Sequence, residues 1–363
     1  MEQKDLNEAR EAIAQIDKDM AALFVKRMRA AETIAAYKNE HSLPVYDAAQ
    51  EARVIERNTA YIEDETIRAH YLGFMQNIMD ISKAYQERLN CGARIAYNGV
   101  EGAFAQIAAS KIFPNGNAIS HSGFESAYNA VVSGDCDCAV LPIENSDRGE
   151  INQVIDLMLN GPLYVNAIKS LRISQNLLGI PGTTRDRIAK VISHPQALGQ
   201  CEAYLAKRGV EIVEATSTAA AAQMVAQAKD PTVAAIASVE TALIYGLDII
   251  DEDINGSSDN TTRFAVFSRV ANHEAASAEN TFILLFTVKH EAGALAKAIN
   301  VISEHGFNMK ALRSHPMKGS AWHYYFYVEA EGDEDSDEAR EMLAELSKHC
   351  DMLKVAGHYC EEA

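Results

Sequence analysis

The first forty residues place three cations along one predicted helical face. Apolar side chains recur on that face every three or four residues, at Ile13, Ile16, Met20 and Leu23. This period predicts a long helix with one buried face, and the same face also carries Arg10, Arg27 and Lys38. A single cation beside an apolar stripe usually lays its stem on the core and keeps its head in water. Three of them, with no equal set of carboxylates at matching positions, predict a binding site for a small dianion.

The net charge limits the partners of such a site. The chain has 363 residues, a formal net charge of −18 and 48% hydrophobic residues, which is typical of a globular protein with two or three domains. A strongly acidic chain lacks the basic face that nucleic-acid binding requires. We therefore expect no nucleic-acid partner, and an anion site must be a local cluster of Arg and Lys.

Neither a membrane nor a metal is indicated. No apolar run is long enough to span a bilayer, and the N-terminal residues do not read as a signal or transit peptide, which predicts a cytoplasmic protein. Cys136 and Cys138 form a C-x-C pair among six cysteines, but no second pair stands at zinc-finger spacing. We expect buried thiols, and no metal or other cofactor.

Three segments differ in the period of their apolar residues and predict a multidomain protein. Residues 1–91 read as an all-α bundle, whose three helices end near residue 38 and cover 48–59 and 64–90. Residues 93–270 alternate short strands with helices, which predicts an α/β domain of two lobes with a cleft. Residues 280–363 follow the order βαββαβ of an α+β ferredoxin-like domain. The acidic, Ala-rich stretch 272–280 is predicted to be a linker.

The second and third predicted helices also carry polar side chains at core spacing. Asp47 and Glu51 share one face, and Ser82 and Gln86 lie one turn apart. A single buried Gln is usually a satisfied core amide, and an Asp just before a helix is often its cap. Together with the three cations, however, these residues predict a polar cavity inside the bundle.

This set resembles the all-helical chorismate mutases, through Arg10, Arg27 of VKRM, Lys38, the LPVYD turn with Asp47, Glu51, Ser82 and Gln86. The resemblance implies a Claisen rearrangement of chorismate to prephenate. In that family two arginines bind the substrate carboxylates, here Arg27 and the Arg10 of a partner chain. Lys38 and Gln86 would donate to the ether oxygen, which gains negative charge in the transition state.

The resemblance also assigns the remaining polar residues of the bundle. Asp47 and Glu51 would receive the ring hydroxyl, and Ser82 would contact the substrate. Gln50 stands where the family commonly has an Arg. This departure predicts a weakened mutase, not an inactive one, because the donors to the ether oxygen remain.

Four stretches of the middle segment carry polar groups at strand ends: NGVEGAF (98–104), LPIENSDRGEI (141–151), SHPQALGQC (193–201) and DNTTRF (259–264). Each alone is more often ordinary capping. The ends of strands are also where α/β folds build ligand sites. Together these stretches predict a ligand site in the cleft.

The PIENS, SHPQALGQC and T-R-F elements resemble prephenate dehydratases in their order and spacing. This implies two lobes like those of periplasmic binding proteins, and conversion of prephenate to phenylpyruvate, carbon dioxide and water. Thr262 would be catalytic, and Arg263 would pair with a substrate carboxylate. The residues implied to line the cleft are Glu144, Asn145, Ser193, His194 and Gln200. Either His194 or Glu144 is a candidate to assist departure of the hydroxyl.

The last segment resembles an ACT domain, an amino-acid-binding regulator, through AGALAKAINVISEHGFNM and LRSHPMKGSAWHYYFYVEAEG. The resemblance implies that phenylalanine binds between paired ACT domains. The residues implied for this site are Gly293, Ala294, Leu295, Asn308, Ser314 and His315. Where the family usually has Glu-Ser-Arg-Pro, this chain has Arg313-Ser314-His315-Pro316. We still expect feedback by phenylalanine, although two of the four motif positions differ in charge or size. A module that serves only dimerisation is the alternative.

Together the resemblances imply a bifunctional enzyme of phenylalanine biosynthesis, acting on chorismate and prephenate as a homodimer or tetramer. A second interpretation is an enzyme that retains only one of the two activities and uses its helical segment only for dimerisation. A non-catalytic amino-acid sensor is a third, but the Thr262–Arg263 pair and the polar bundle core argue against it. A fused prephenate dehydrogenase is disfavoured because no dinucleotide fingerprint follows any predicted strand.

Overall fold

The computed structural model describes residues 3–41, 43–256, 259–272, 280–317 and 323–360. The chain divides into two compact units, Met1–Ala93 and Arg94–Ala363. Apart from its two end residues, the predicted linker 272–280 lies outside the described residues.

The first unit is helical, with α1 (Gln3–Glu40), α2 (Ala48–Thr59) and α3 (Glu65–Cys91). Side chains cap the two later helices. Asp47 Oδ1 accepts the backbone N–H of Gln50 at 3.0 Å, and Asp64 Oδ1 accepts those of Thr66 and Ile67 at 2.8 and 3.1 Å. Such caps satisfy N–H groups that have no partner inside the helix. The predicted all-α architecture and the extents of the three helices are confirmed.

The second half of α1 packs against α3. Ala31 and Ala35 of α1 are buried, and so are Met75 and Met79 of α3. Small alanine side chains let two helices approach closely, and long methionine side chains fill the space between them. This contact positions the polar residues of the unit.

The first half of α1 does not have the buried face that its periodicity predicts. Its stripe is 43% to 62% exposed, at Ile13, Ile16, Met20 and Leu23. Periodicity identifies an apolar face but not the surface that covers it. Within the described part of one chain, α3 covers α1 only around Ala31 and Ala35, so the prediction of burial is wrong for the single chain.

The strands of the second unit are β1 (Arg94–Asn98), β2 (Asn117–His121), β3 (Cys138–Asn145), β4 (Gly149–Glu150), β5 (Tyr164–Arg172), β6 (Asn176–Gly179), β7 (Lys190–Ser193), β8 (Glu211–Glu214), β9 (Val233–Ala237), β10 (Asp248–Asp251), β11 (Thr261–Ser268), β12 (Thr281–Thr287), β13 (Met309–Pro316), β14 (Tyr324–Glu331) and β15 (Met352–Tyr359). Its α-helices are α4 (Phe104–Ile112), α5 (Phe124–Ser133), α6 (Asn152–Asn160), α7 (Pro195–Gln200), α8 (Glu202–Ala206), α9 (Thr218–Ala228), α10 (Val239–Tyr245), α11 (Ala294–Glu304) and α12 (Asp337–Leu346).

Two sheets form two lobes. The first lobe contains β1 to β5 and β11, with β11 antiparallel to both β3 and β5. The second lobe is the sheet β10-β6-β9-β7-β8. The chain crosses to the second lobe between β5 and β6, at residues 173–175, and returns between β10 and β11. The predicted two-lobed α/β architecture is confirmed.

A glycine loop of the first lobe contacts α10 of the second lobe. Thr241 Oγ1 donates to the Gly102 carbonyl at 2.8 Å, and Tyr245 Oη donates to the Glu101 carbonyl at 2.9 Å. Gly102 has φ +86°, and a Cβ there would lie 3.3 Å from the Thr241 side chain. Glycine therefore permits both the turn and the close approach of the lobes.

The C-terminal residues form the predicted βαββαβ fold, from β12 through α11, β13, β14 and α12 to β15. Its sheet has the order β13-β14-β12-β15, with antiparallel neighbours. Apolar residues of α11 and α12 pack on the buried side chains of β12 and β14, including Phe282, Leu284 and Val328. The ferredoxin-like fold of this segment is confirmed.

The ferredoxin-like sheet continues into the first lobe through β15 and β5. Their parallel pairing is recorded at Gly357 and Val165. Gly357 has φ +123°, and a Cβ at this position would overlap the backbone of Val165. The two sheets join here because residue 357 has no side chain.

We expect Gly357→Ala to destabilise the second unit by about 2 kcal/mol or more, because it adds a steric clash to an unfavourable φ. Urea or thermal unfolding measures the loss. Gly182→Ala is the matched control, since Gly182 also has positive φ but a Cβ there meets nothing within 4 Å. Equal losses in the two variants would contradict the close approach of β15 and β5.

Candidate active sites

Arg27 lies at the contact between α1 and α3. Its guanidinium donates to the Ile78 carbonyl at 3.2 Å and to the hydroxyl of Ser82. Burial lowers the pKa of Arg27, since neutral partners do not offset the loss of hydration. The structure thus brings two predicted residues together around a half-buried cation whose recorded contacts are neutral.

Lys38 and Gln86 retain capacity for further hydrogen bonds. Lys38 Nζ donates to the Val45 carbonyl at 2.6 Å, and an ammonium group has three donors. Gln86 is buried, and its Oε1 has no hydrogen-bond partner among the described residues. A buried polar atom without a partner costs roughly 1–3 kcal/mol, which a bound ligand would offset.

The acidic residues predicted for this site already have partners in the chain. Asp47 is exposed and caps α2, and the neighbouring Gln50 is exposed as well. Glu51 Oε1 lies 2.9 Å from Lys83 Nζ, which also lies 2.9 Å from Asp80 Oδ1. Hydrogen bonds that Lys83 donates to the carboxylates of Asp80 and Glu51 raise its pKa. Lys83 was not predicted from the sequence, although it stands directly after the predicted Ser82.

Arg10 is separated from the other residues of the bundle site. It is exposed and lies about 25 Å from Arg27 along α1, at 1.5 Å per residue. Two arginines this far apart cannot bind the two carboxylates of one small molecule. Within one chain the structure therefore does not bring Arg10 to the site.

A cavity of about 290 Å³ lies between the two lobes of the second unit. Four of the predicted residues line it: Asn145, His194, Gln200 and Thr262. Among the lining residues in the described part of the chain, His194 is the one with an imidazole side chain. Its described lining mixes amide, hydroxyl and imidazole groups with apolar side chains, and contains no Asp, Glu, Lys or Arg.

Thr262 and Asn145 are hydrogen-bonded to each other at the first-lobe side of the cavity. Asn145 Nδ2 lies 2.9 Å from Thr262 Oγ1 and 2.8 Å from Asn260 Oδ1. Asn145 Oδ1 accepts the N–H of Asp147 at 3.1 Å, which fixes the orientation of the amide. Because Thr262 Oγ1 accepts a hydrogen bond here, its own hydroxyl proton remains for a ligand.

His194 and Gln200 face the cavity from the second lobe. His194 Nδ1 accepts the backbone N–H of Gln196 at 3.2 Å, at the start of α7. In the neutral imidazole Nε2 then carries the proton and can donate it. Gln200 Oε1 accepts from Gln175 Nε2 at 3.3 Å. Gln175, which also lines the cavity, was not singled out from the sequence.

Ser193 does not line the cavity, contrary to the expectation. It is fully buried at the end of β7, and its hydroxyl donates to the Ile236 carbonyl of β9 at 2.7 Å. Side chains of a strand alternate between its two faces. Ser193 therefore points into the second lobe, and His194, the next residue, reaches the cleft.

Arg263 and Glu144 likewise lie behind the cleft. Thr262 and Arg263 are consecutive on β11, and Glu144 and Asn145 are consecutive on β3, so the members of each pair face opposite sides of the sheet. Arg263 Nη1 donates to Glu144 Oε2 at 3.0 Å. The expectations that Arg263 binds a substrate carboxylate and that Glu144 lines the cleft are not met.

The ferredoxin-like segment surrounds Arg263 with acceptors. Arg263 donates to both carboxylate oxygens of Glu329, at 2.9 and 3.2 Å, and to Tyr359 Oη at 2.7 Å. Glu329 also accepts the hydroxyls of Tyr327 and Tyr359. Burial opposes the charge of Glu329, but Arg263 and these hydroxyls together lower its pKa. In the same way burial opposes the charge of Arg263, and Glu329 raises its pKa.

A second ion pair connects β13 to the first lobe. Arg313 donates to Glu144 Oε1 at 2.6 Å and to Glu150 Oε1 at 3.1 Å. His315 is buried, with Nε2 3.1 Å from Glu150 Oε2. Ser314, between them, is exposed. The alternation of β13 therefore directs His315 to the first lobe, away from the effector site expected for it.

The other residues expected to bind an effector lie at opposite ends of one ferredoxin-like sheet. Gly293, Ala294 and Leu295 begin α11 just after the end of β12, and Leu295 lines a cavity of about 310 Å³. Asn308 donates to Glu331 Oε2 at 2.8 Å, and Glu331 pairs with Thr281 at the start of β12. One chain alone does not bring the two groups together.

One cation near the cleft was also missed from the sequence. Arg148 lies on the exposed turn between β3 and β4 in the first lobe, and its Nη2 is 3.5 Å from the position of a Cβ on Gly199 in α7. It belongs to the DRG of LPIENSDRGEI. Arg148 places a positive charge beside α7, which carries Gln200.

In the described ranges, no group of three or more His, Cys, Asp or Glu residues is arranged to hold a metal ion. Nor does any helix of those ranges have the length and apolar character needed to cross a membrane.

Models of three protein families match this chain. The prephenate dehydratase model matches residues 95–272, the chorismate mutase type II model residues 9–87, and the ACT domain model residues 282–347. These matches coincide with the cleft, the helical bundle and the ferredoxin-like segment.

Individual relatives match nearly all of the chain or about three quarters of it. A bifunctional chorismate mutase/prephenate dehydratase of Neisseria gonorrhoeae is 31% identical over 356 residues, covering 96% of this chain and 95% of that protein. A chloroplastic arogenate dehydratase/prephenate dehydratase of Arabidopsis thaliana is 35% identical over 280 residues, covering 73% and 71%. The crystal structure of an Arthrobacter aurescens prephenate dehydratase in complex with L-Phe has the same fold over 74% of this chain and 90% of that one, with a TM-score of 0.68 and 24% identity.

We expect Glu329→Gln to destabilise the second unit by about 3 kcal/mol, because it leaves Arg263 buried with less compensating charge. The pKa of Glu329 is lowered in the folded state. Its contribution is therefore complete above the ordinary pKa of a glutamate and is lost as the pH falls through the folded-state value. The variant should lack this part of the acid-dependent loss.

Urea unfolding at a series of pH values measures both effects. Glu331→Gln is the matched control on the same strand, since the Glu331 carboxylate is much more exposed. A small loss of similar size in both variants would contradict the role of the buried pair.

Proposed function

Because the chain belongs to the family of bifunctional chorismate mutase/prephenate dehydratases, we propose that its two reactions occur at the two separate sets of residues described above. Chorismate mutase activity is assigned to the helical bundle around Arg27, and prephenate dehydratase activity to the cleft around Thr262. The observation that supports separate sites most directly is that the two sets lie in different compact units. Residues 1–91, 93–270 and 280–363 are the proposed mutase, dehydratase and ACT domains, in a cytoplasmic enzyme.

In the mutase site, Arg27 would bind one carboxylate of chorismate. Its charge is half-buried and has neutral contacts, so a carboxylate supplies the missing compensation. Lys38 and Gln86 would donate to the ether oxygen. Negative charge grows on that oxygen as the C–O bond breaks, so these hydrogen bonds are stronger in the transition state than in the bound substrate. Ser82 would hold Arg27 in place.

A second copy of the chain would complete this site. Arg10 lies about 25 Å from Arg27 along α1, and the stripe from Ile13 to Leu23 that follows it is exposed. Packing of this stripe on a second copy buries it and offers Arg10 to the partner's site. Sedimentation equilibrium tests the proposal, and a monomer with full mutase activity would contradict it.

We expect Lys38→Ala to lower mutase turnover by about 100-fold or more, because one donor to the developing negative charge is lost. The measurement is the initial rate of chorismate loss. Lys26→Ala removes the same charge from an exposed position of α1 and should leave that rate within a few fold. Conversion of added prephenate should be unchanged in both variants. Full mutase activity in Lys38→Ala would contradict the assignment.

In the dehydratase site, the Thr262 hydroxyl would donate to the hydroxyl that leaves the prephenate ring. As the C–C bond to the ring carboxylate breaks, its electron pair enters the ring and expels hydroxide at the opposite carbon, leaving an aromatic product. A donor is needed because hydroxide is a poor leaving group. Asn145 orients Thr262, and His194 Nε2–H is a second candidate donor.

The nearly uncharged cavity suits the loss of carbon dioxide. A cation beside the ring carboxylate would stabilise the bound substrate more than the transition state, because the negative charge of the carboxylate moves into the ring as the reaction proceeds. Neutral donors avoid that penalty. Arg148 would attract the anionic substrate from the edge of the cleft, against the overall negative charge of the protein.

We expect Thr262→Val to lower phenylpyruvate formation by about 100-fold or more, because it removes the hydroxyl and keeps the side-chain shape. Chorismate should still be consumed, so prephenate should accumulate. Thr261→Val is the matched control, since the Thr261 hydroxyl donates to the Asp259 carbonyl outside the cavity. Loss of both activities in Thr262→Val would contradict separate sites.

The ACT domain would bind phenylalanine between two copies. One chain holds the loop at Gly293 and the side chain of Asn308 at opposite ends of its sheet, and pairing of two domains can bring the loop of one to the Asn308 of the other. The contacts of Glu329 with Arg263 and of Arg313 with Glu144 would carry the effect to the strands of Thr262 and Asn145. Titration calorimetry tests this, and no heat of binding with phenylalanine would contradict it.

A further inference from the structure

Gln175 is fixed on the crossover between the two lobes. Its backbone N–H donates to Asn255 Oδ1 at 3.0 Å, and its carbonyl accepts the N–H of Ile254 at 2.8 Å. Both partners belong to the returning crossover. The residue is 3% exposed and lines the cleft cavity. Its side chain is therefore held at the floor of the cleft by the two segments that join the lobes.

The amides of Gln175 and Gln200 form a pair with one free donor and one free acceptor. Gln175 Nε2 donates to Gln200 Oε1 at 3.3 Å. Gln175 Oε1 and Gln200 Nε2 are both buried and have no hydrogen-bond partner among the described residues. Buried amide atoms are nearly always paired in proteins, so this arrangement points to a ligand group that satisfies them.

The other polar groups that line the cavity are amides, hydroxyls and an imidazole, most of which can both donate and accept hydrogen bonds. Its described lining contains no Asp, Glu, Lys or Arg. An α-keto group offers acceptors only, whereas an α-ammonium group offers donors only. Gln200 Nε2 complements the first, and Gln175 Oε1 complements the second.

We propose that Gln175 is a specificity-determining residue of the dehydratase site, and that the Gln175–Gln200 pair binds the α-substituent of the substrate side chain. The pair accepts the α-keto acid prephenate and also its α-amino counterpart, arogenate. This proposal rests on the dehydratase site proposed above. Gln175 acts on the substrate both directly, through Oε1, and by orienting Gln200.

Two substitutions separate these contributions. Gln175→Met keeps the length of the side chain and removes both hydrogen-bonding groups, so the KM for prephenate should rise roughly tenfold with kcat within a few fold. Gln175→Glu places a carboxylate at the free acceptor. It should shift the ratio of kcat/KM for arogenate over prephenate upward by about tenfold or more, because the carboxylate attracts the ammonium group that arogenate has and prephenate lacks.

Two further variants and two control measurements make the test specific. Gln196→Glu adds the same charge to the lining of the same cavity, and should shift the ratio much less. Gln175→Met combined with Gln200→Met should cost little more than the larger single effect, because the two residues act as one unit. Thermal unfolding checks that each variant is folded, and mutase activity normalises the enzyme concentration.

The outcomes are distinguishable. An unmodified protein that forms no phenylpyruvate from prephenate would defeat the proposed dehydratase site itself. An active protein whose Gln175→Met variant keeps the parental KM would overturn the role of the pair. An equal shift of the ratio in Gln175→Glu and Gln196→Glu would also overturn it, since general electrostatics would then explain the change. If Gln175→Met does not fold, Gln175→Glu and Gln200→Met decide.

Discussion

The buried ion pair between Arg263 and Glu329 constrains the rest of the second unit. A guanidinium taken out of water needs carboxylates and hydrogen-bond acceptors on every side, and Arg263 finds them in Glu144, Glu329 and Tyr359. Two of these three belong to the ferredoxin-like segment. The strand that carries Thr262 is thus bound to the ferredoxin-like segment on the side opposite the cleft. Arg263, the cation of this strand, points away from the cleft.

The two proposed sites have opposite character. The helical bundle offers Arg27 and Lys38 with neutral contacts, which suits a rearrangement whose transition state places charge on an ether oxygen. The cleft offers amides, hydroxyls and one imidazole, which suits a reaction that begins by expelling a carboxylate. Prephenate is the product of the first reaction and the substrate of the second. It would be bound by cations in the mutase site and by neutral hydrogen-bond donors in the dehydratase site.

Much of the fold was predictable because most elements follow strong local patterns. The three helices of the bundle, the βαββαβ order and the strands that end in site motifs all have clear periods or turn residues. β5 was not predicted, since its sequence YVNAIKSLR mixes polar residues that are sheltered by β11 and β15 only in the assembled sheet. The exposed stripe of α1 is a different case, because a pattern does not reveal what covers it.

The sequence predicted where the candidate sites lie and what kind of group lines them more accurately than it predicted the individual residues. The period of two along a strand already requires that Thr262 and Arg263 face opposite sides, but the sequence does not say which side is the cleft. The ion pair with Glu329 places Arg263 on the side opposite the cleft, and Glu329 lies in the ferredoxin-like segment, far away in the sequence. Gln175 had no motif or charge to mark it, and its importance appears only where the two crossovers meet.

The most direct test of two sites on one chain is a time course of the unmodified protein with chorismate as sole substrate, following chorismate, prephenate and phenylpyruvate separately. Prephenate is expected to rise first and then to fall as phenylpyruvate forms, since one site supplies the substrate of the other. Chorismate that stays unchanged, or prephenate that accumulates without phenylpyruvate, would contradict it.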